Sequence, residues 1–338
     1  MHRLPQAADI AGKSRGPFPA LPGWWAPIGL LVAVLALTGP LRAAVPSEPA
    51  VLAPSSLLLD VARAGQRLVV AGDRGHILLS DDEGGTWRQV IVPTRAMLTG
   101  ISFGDAKHGW AAGHDGVILA TKDGGQNWQP QSAPGADLET VYLDTYFRDA
   151  LNGFVVGAYG QCLRTRDGGA TWTSLRPTEE EAHFNQISAA VDGTLYLAGE
   201  SGTLLASSDE GATWRKLEVP YEGSLFGLLP LDARTLIVYG LRGHVYLSDD
   251  AGVTWAERSI PVPVLIMAGL QLKSGPIVLA GLGGNFFISR DRGRTFEGWK
   301  PADYTGGVSS LLETRDGALL AVGERGVVRL KLPEVSRP

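Results

Sequence analysis

Six aspartates recur in one eight-residue pattern, and their type and spacing could support chemistry. The pattern is Ser/Thr-x-Asp-x-Gly-x-Thr/Asn-Trp/Phe, and its first copy runs from Ser80 to Trp87. A carboxylate beside hydroxyls could bind calcium or act as an acid, but one role repeated six times indicates scaffold. We predict that each aspartate accepts backbone N–H bonds and holds a turn. The six are Asp82, Asp123, Asp167, Asp209, Asp250 and Asp291.

We call the eight-residue pattern the Asp box. A second motif, Gly-x-x-Gly between two apolar runs, precedes each Asp box. It occurs seven times, and its first glycines lie 41, 44, 42, 41, 41 and 42 residues apart. Glycine supplies the positive φ that tight hairpins need. Runs that are apolar throughout indicate strands buried on both faces. The first glycines are Gly72, Gly113, Gly157, Gly199, Gly240, Gly281 and Gly323.

A period near 42 residues with several short strands per unit predicts an all-β, seven-bladed propeller with four-stranded blades. Asp-box turns are expected in six blades, between the third and fourth strands. The propeller should span 45–338, with repeats at about 57–97, 98–138, 139–183, 184–223, 224–264, 265–305 and 306–332.

The seventh repeat has no Asp box, so its outer strand is missing from the pattern. The segment 47–53 is left over at the other end of the propeller. We expect this segment to pair with 327–332 as a closing strand, because pairing would remove an exposed sheet edge.

The N-terminal segment 1–44 has the composition of an export signal. Arg3, Lys13 and Arg15 precede an apolar run from Trp24 to Leu41, and small residues follow it. This order predicts a signal peptide, with an uncleaved signal anchor as the alternative. Either form places the propeller on the far side of the membrane, in a periplasm or lumen, because the basic residues stay inside.

Composition excludes several classes of protein. Removing residues 1–44, which carry four basic residues and one acidic residue, lowers the net charge from −5 to −8. An acidic domain lacks the basic footprint that nucleic acid requires. The single cysteine, Cys162, allows neither an internal disulfide nor a cysteine metal cluster. We expect a monomer with no cofactor, no metal and no catalytic residue.

The hairpin tips inside the Gly-x-x-Gly motifs differ in every blade, whereas the scaffold repeats. In a propeller these tips share a face with the loops that join the blades, and the Asp boxes lie on the opposite face. Variable loops on a rigid scaffold are typical of a binding surface, although drift of exposed residues produces the same pattern. Arginine and tyrosine often anchor protein interfaces, so the predicted contact residues are Arg74, Arg95, Tyr159, Tyr221, Arg242, Tyr304 and Arg325.

Two segments carry a more specific resemblance. Phe103 to Gly113 and Phe147 to Gly157 resemble the Phe-x-Asp-x-x-x-Gly-Trp-x-x-Gly units of the Ycf48/Hcf136 family, which comprises propeller assembly factors for photosystem II. The similarity extends over about 50–332 and implies a bacterial member of that family. It further implies an exported, non-catalytic factor that binds a membrane-protein complex or its precursor.

A carbohydrate-binding or glycoside hydrolase propeller is the alternative, because sialidases also carry Asp boxes. A sialidase needs an arginine cluster, a Tyr/Glu nucleophile pair and an acidic aspartate. Its Phe/Tyr-Arg-Ile-Pro signature is absent, since Arg148 belongs to the repeat segment Phe147-Arg-Asp-Ala150. We therefore predict that the chain is not an enzyme.

Overall fold

A computed structural model describes residues 45–302 and 304–333. The strands form seven antiparallel sheets in chain order, six with four strands and one with three. Each sheet is one blade, and its first strand is the innermost. The predicted seven-bladed propeller is therefore confirmed.

Blades 1 to 4 follow one plan. Blade 1 contains β1 (Leu58–Ala64), β2 (Arg67–Gly72), β3 (Ile77–Ser80) and β4 (Arg88–Val90). Blade 2 contains β5 (Leu98–Phe103), β6 (Gly109–Gly113), β7 (Ile118–Thr121) and β8 (Gln129–Gln131). Blade 3 contains β9 (Tyr142–Phe147), β10 (Gly153–Gly157), β11 (Cys162–Thr165) and β12 (Thr173–Ser174). Blade 4 contains β13 (Phe184–Ala189), β14 (Leu195–Gly199), β15 (Leu204–Ser207) and β16 (Arg215–Lys216).

Blades 5 and 6 repeat this plan and blade 7 shortens it. Blade 5 contains β17 (Leu225–Pro230), β18 (Leu236–Gly240), β19 (Val245–Ser248) and β20 (Ala256–Arg258). Blade 6 contains β21 (Ile266–Gln271), β22 (Ile277–Gly281), β23 (Phe286–Ser289) and β24 (Glu297–Trp299). Blade 7 contains β25 (Val308–Glu313), β26 (Leu319–Gly323) and β27 (Gly326–Leu330). Single 3₁₀ turns lie at Ala53–Ser55, Asp73–Gly75, Leu241–Gly243 and Leu282–Gly284.

The hydrophobic core is divided among the seams between neighbouring blades. In the seam between blades 1 and 2, Val69 and Leu79 pack with Leu98 and Ile101, and all four are buried. Burying such a side chain contributes roughly 1.5–3 kcal/mol. Because every blade has two covered faces, its middle strands are mostly apolar, as the sequence indicates.

The Asp boxes hold the turns between the third and fourth strands. Asp82 accepts bonds from the Thr86 backbone N–H at 2.8 Å and the Thr86 hydroxyl at 2.7 Å. It also accepts a 2.8 Å bond from the Ser80 hydroxyl. The glycine of the box faces the preceding blade, since a Cβ on Gly84 would lie 3.0 Å from Leu320 of blade 7. Each box therefore shapes a turn and also fits it against a neighbour.

The expected closing strand is wrong. Blade 7 has three strands, and segment 47–53 forms no strand with β27. Ser47 instead donates its N–H to the Val92 carbonyl at 2.9 Å, beyond β4 of blade 1. The Gln89 side chain bonds the Ala50 N–H and the Glu48 carbonyl, each at 2.8 Å. A side chain of blade 1 thus satisfies the backbone that was expected to pair with blade 7.

Side chains close the ring between blades 7 and 1. The Ser310 hydroxyl donates to Asp60 at 2.8 Å, and Arg315 donates to the Gly65 carbonyl at 2.7 Å. Glu83 pairs with Arg63 at 2.8 Å and with Arg315 at 3.7 Å. The Arg63 guanidinium, with help from Arg315, lowers the pKa of Glu83 to about 2. Packing and ion pairs therefore do at this seam what a closing strand was expected to do.

The predicted export signal, residues 1–44, lies outside the described residues. Within the part of the chain that the structure describes, none of the helices has the length and apolar character needed to cross a membrane.

Candidate functional site

The hairpins between the second and third strands of the blades form a set of tips. We use the name tip face for the surface made of these tips and the loops that join the blades. In blades 1 to 6 the second tip residue has a left-handed backbone, with φ between 53° and 66°. This conformation costs an L-residue roughly 1–2 kcal/mol. The residues are Arg74, Asp115, Tyr159, Ser201, Arg242 and Gly283.

In six of the seven Gly-x-x-Gly motifs, Gly160 excepted, the second glycine sets the tip closely against a blade-joining loop. A Cβ on Gly75 would lie 2.2 Å from the Thr94 carbonyl oxygen, and one on Gly202 would lie 2.1 Å from that of Tyr221. These glycines also have positive φ, 69° and 66°. Only glycine meets both demands, so the motif brings tips and joining loops onto one face, as expected.

Three predicted contact arginines, Arg74, Arg242 and Arg325, are exposed on this face. The Arg74 side chain is 81% exposed and lies 3.6 Å from the Asp73 carboxylate, a surface pair that leaves its charge available to a partner. Arg95 differs, because it donates to the Pro46 carbonyl at 2.9 Å and pairs with Glu48 at 2.7 Å. Arg95 thus anchors the N-terminal segment.

The predicted contact tyrosines occupy three different environments. Tyr159 is 69% exposed and packs edge-on against His183, with 4.6 Å between ring centres. Tyr221 is half-buried and donates its hydroxyl to the Leu241 carbonyl at 3.1 Å. Tyr304 is only 3% exposed, so its assignment as a contact residue is wrong. Its hydroxyl donates to the Gly307 carbonyl at 3.0 Å, and burial raises its pKa to about 12.

The tip of blade 7 differs from the other six. Gly323 pairs directly with Gly326, so Glu324 and Arg325 form a two-residue loop. In blade 1 the Gly72 N–H instead bonds the His76 carbonyl, one residue beyond the second glycine. Strand β27 is therefore slipped by one residue relative to the other third strands, a slip that exchanges the faces of its side chains. The sequence motif is the same in both hairpins and does not reveal the difference.

Two carboxylates in the central channel were not among the predicted site residues. Asp60 and Asp144 lie on the innermost strands and line a cavity with Gln186, Tyr239 and Ser310. Asp60 accepts the Ile101 N–H of blade 2 at 2.8 Å. Repeat alignment would have shown the signal, since an aspartate stands at the third position of both innermost strands.

The channel environment disfavours the charged form of both aspartates. Burial raises the pKa of Asp60 and Asp144, and the charge of Asp60 raises that of Asp144 further. Backbone N–H donors act in the opposite direction without cancelling the effect. Carboxyls that are partly protonated are poor ligands for a cation.

A cluster of arginines lies on the opposite face, between blades 3 and 4. Arg148 pairs with Glu210 at 2.6 Å, and Arg166 approaches the same carboxylate at 3.9 Å. Arg164 donates to the Glu210 backbone carbonyl at 3.4 Å. Glu210 occupies the left-handed position of the blade 4 Asp box, with φ 59°. The cluster therefore joins two blades through the carboxylate that it surrounds.

The described residues offer limited means for catalysis. Over 45–302 and 304–333, His, Cys, Asp and Glu nowhere gather in threes in a way that could hold a metal ion. Cys162 is buried in β11, and burial raises its thiol pKa to about 12, so it is a poor nucleophile at neutral pH. The arrangement supports recognition through exposed side chains on a rigid ring.

Comparison with protein families gives a match that covers most of the propeller. The model of the family described as photosynthesis system II assembly factor YCF48 matches residues 79–140 and 135–331.

Curated relatives match over shorter segments. The photosystem II stability/assembly factor HCF136 of Cyanidioschyzon merolae is 40% identical over 58 residues, 17% of this chain and 13% of that protein. The photosystem II assembly protein Ycf48 of Thermosynechococcus vestitus is 39% identical over 46 residues, 14% of this chain and 13% of that protein. The chain therefore aligns with only about an eighth of the length of these two relatives.

Solved structures share the fold over nearly the whole propeller. A structure described as YCF48 bound to D1 peptide has a TM-score of 0.68 at 18% identity, covering 82% of this chain and 94% of that one. YCF48 from Cyanidioschyzon merolae gives 0.69 at 18% identity, with 81% and 94% covered. These identities establish the fold alone, and the family match supplies the identification. The chain belongs to the Ycf48 photosystem II assembly factor family.

Proposed function

We propose that this protein is an exported, non-catalytic propeller that binds a membrane-protein complex or its precursor and assists its assembly. It acts as a monomer, without a cofactor, in a periplasm or lumen. Its partner is a polypeptide and not a nucleic acid. The tip face is the docking surface.

One observation carries this proposal. Five exposed tip residues of four types, arginine, aspartate, tyrosine and serine, are held in the same left-handed backbone conformation. The backbone of the tip therefore repeats from blade to blade, while the exposed side chain that it carries changes. Exposed side chains that vary on a repeated, rigid backbone fit a surface that is used for contact.

Family membership supports the choice of client. The relatives are named as photosystem II assembly and stability factors, and one solved relative is described as bound to a D1 peptide. A client of the same kind, a segment of a membrane protein before or during assembly, fits an exported propeller. The export signal proposed for residues 1–44 would deliver the propeller to that compartment.

A glycosidase is less well supported. The arginine cluster around Arg148 surrounds Glu210, a carboxylate that belongs to the protein itself. A sialidase-like site would need those guanidinium groups for a substrate carboxylate. The Ycf48 family match also gives no support to carbohydrate chemistry.

Affinity capture tests the proposed function. The tagged full-length protein is recovered from crosslinked, detergent-solubilised native membranes, and captured proteins are identified by mass spectrometry. A triple variant, Arg74→Glu, Arg242→Glu and Arg325→Glu, should lose an integral-membrane complex that the wild type enriches.

A matched control reverses three exposed arginines away from the tip face, Arg215, Arg234 and Arg294. This control should capture the complex as the wild type does, and both variants should keep the wild-type melting temperature. Equal capture by both triple variants would rule out the tip face. Capture of no membrane protein, together with a signal on a glycan array, would favour the carbohydrate alternative.

A further inference from the structure

The outer edge of blade 7 differs from those of the other six blades. Across the described residues, β27 pairs with β26 on one side and with no strand on the other. In every other blade a fourth strand covers the corresponding third strand. An unpaired edge presents a row of N–H and C=O groups that can pair with another chain.

The slipped hairpin determines which backbone groups face outward. Gly323 lies directly opposite Gly326, and we take this pair as one that exchanges both hydrogen bonds, as alternate pairs of an antiparallel ladder do. Bonding to β26 then alternates along β27, so Gly326, Val328 and Leu330 face inward. The N–H and C=O groups of Val327 and Arg329 face outward.

A segment of this chain lies beside the edge without covering it. Ala50 packs in the same apolar cluster as Val327. The Ala50 N–H, however, donates to the side-chain oxygen of Gln89 in blade 1 at 2.8 Å. The side-chain nitrogen of Gln89 donates to the Glu48 carbonyl, also at 2.8 Å. The backbone around Glu48 and Ala50 is therefore bonded to blade 1, and the 3₁₀ turn Ala53–Ser55 reaches β27 only at its first residue, where a Cβ on Gly326 would lie 1.9 Å from the Pro54 carbonyl oxygen. Within 45–302 and 304–333, no strand pairs with the outer edge of β27.

The side chains around the edge indicate what would bind there. Val327 and Val328 are half-buried, while Arg325 and Lys331 are exposed at its two ends. Arg329, also exposed, pairs with Asp316. An extended strand with alternating apolar and acidic side chains complements this edge in backbone bonding, shape and charge.

We propose that β27 is a docking edge, on which an extended acidic segment of the client pairs as the missing fourth strand of blade 7. This inference rests on the proposed role in binding a client polypeptide. Arg325 belongs both to the tip face and to this edge, so one client chain could contact both surfaces.

Fluorescence anisotropy tests the edge with a defined probe. A fluorescein-labelled hexapeptide of alternating glutamate and valine is titrated with the full-length protein at low salt. Two further peptides separate the contributions, one with lysine in place of glutamate and one with alternate backbone nitrogens methylated. We expect the acidic peptide to bind and both others to bind at least about tenfold more weakly, because strand addition needs main-chain bonds and charge sets the partner.

Variants of Arg329 locate the binding. Arg329→Pro removes an outward N–H but no bond to β26, a position that an edge strand tolerates. Arg329→Ala removes the same side chain and ion pair while it keeps the N–H. The proline variant should weaken binding at least about tenfold relative to the alanine variant, with both melting as one cooperative unit.

Several outcomes would overturn the docking edge. These are equal binding of the methylated and unmethylated acidic peptides, equal binding of the lysine peptide, or no binding of the acidic peptide at 1 mM. The methylated peptide decides the question on wild-type protein even if Arg329→Pro misfolds. If Arg329→Pro still captures the membrane complex while the tip-face triple variant does not, the docking edge is ruled out. The proposed function would then remain supported.

Discussion

The carboxylate of Asp144, on the innermost strand of blade 3, accepts a 2.9 Å hydrogen bond from the backbone N–H of Ile187 in blade 4. An innermost strand has no partner on its channel side, so its inward N–H groups need another acceptor. Gln186 provides the same bond to Leu228 one blade further on, at 2.7 Å. Side chains at one repeat position thus link successive blades through the channel.

Replacing Asp144 with asparagine should change how stability depends on pH. The pKa of Asp144 is raised in the folded protein, so the folded state holds a proton that the unfolded state has lost above about pH 4. Stability therefore falls as pH rises through this window, up to the raised pKa. Asp144→Asn keeps an acceptor oxygen without a charge and should raise the melting temperature at pH 8 by about 3 °C or more.

Thermal melts of both proteins between pH 5 and 8 measure this effect. The exposed Asp249 offers the control, because Asp249→Asn removes a carboxylate that is not buried in the channel. The raised pKa of Asp144 would be contradicted if the melting temperature of the wild type rose steadily from pH 5 to 8 and that of Asp144→Asn rose in parallel.

The repeat-level features could be predicted because they depend on local pattern. Spacing of the first glycines gave the number of blades, and the apolar runs around them gave strands covered on both faces. Asp82 and Thr86 are four residues apart and make the bonds expected of a turn. Local hydrogen bonds and burial need no knowledge of distant residues.

Features that depend on distant partners could not be predicted in this way. The Gln89 side-chain oxygen accepts the backbone N–H of Ala50, 39 residues earlier in the chain. This N–H is therefore not available for a closing strand on blade 7. Tyr304 has an interface residue type, but its ring packs on Phe286 in the seam between blades 6 and 7. In each case a specific tertiary contact decided between two arrangements that the sequence allows.

Removing the Gln89 amide should release the N-terminal segment. Gln89→Leu deletes the bonds to Ala50 and Glu48, so amide hydrogen exchange at Ala50 should accelerate at least about tenfold. Gln129→Leu, on the outer strand of blade 2, is the matched control and should leave Ala50 unchanged. Protection that persists in Gln89→Leu would mean that the other contacts of the segment, such as the bond from Ser47 to Val92, hold it without the Gln89 amide.

The left-handed tips should tolerate glycine. Arg74→Gly and Tyr159→Gly relieve backbones at φ 54° and 53°, and the relief offsets the added entropy of the unfolded chain. We expect a free energy of unfolding that is unchanged or higher by up to about 1 kcal/mol, measured by urea denaturation.

The first tip residue provides the comparison for these glycine variants. Asp73 has no positive φ and accepts the Arg74 N–H at 2.8 Å. Asp73→Gly should therefore lower stability, since it gains no conformational relief and loses a bond. Equal destabilisation by Arg74→Gly would indicate that the tip arginine has a structural role, and it would weaken the case for a contact surface.

The Asp boxes should make the propeller sensitive to acid. The hydroxyl of Thr254 donates to Asp250 at 2.6 Å and its backbone N–H at 2.8 Å, and these bonds lower the Asp250 pKa to about 2. A lowered folded pKa stabilises the protein above the ordinary value near 4, and this contribution is lost as pH falls toward 2. Asp250→Asn should therefore have a lower melting temperature than the wild type at pH 6. Between pH 6 and 2.5 its melting temperature should fall by less than that of the wild type. Melts that stay a constant interval below wild type over that range would show that Asp250 acts through shape alone.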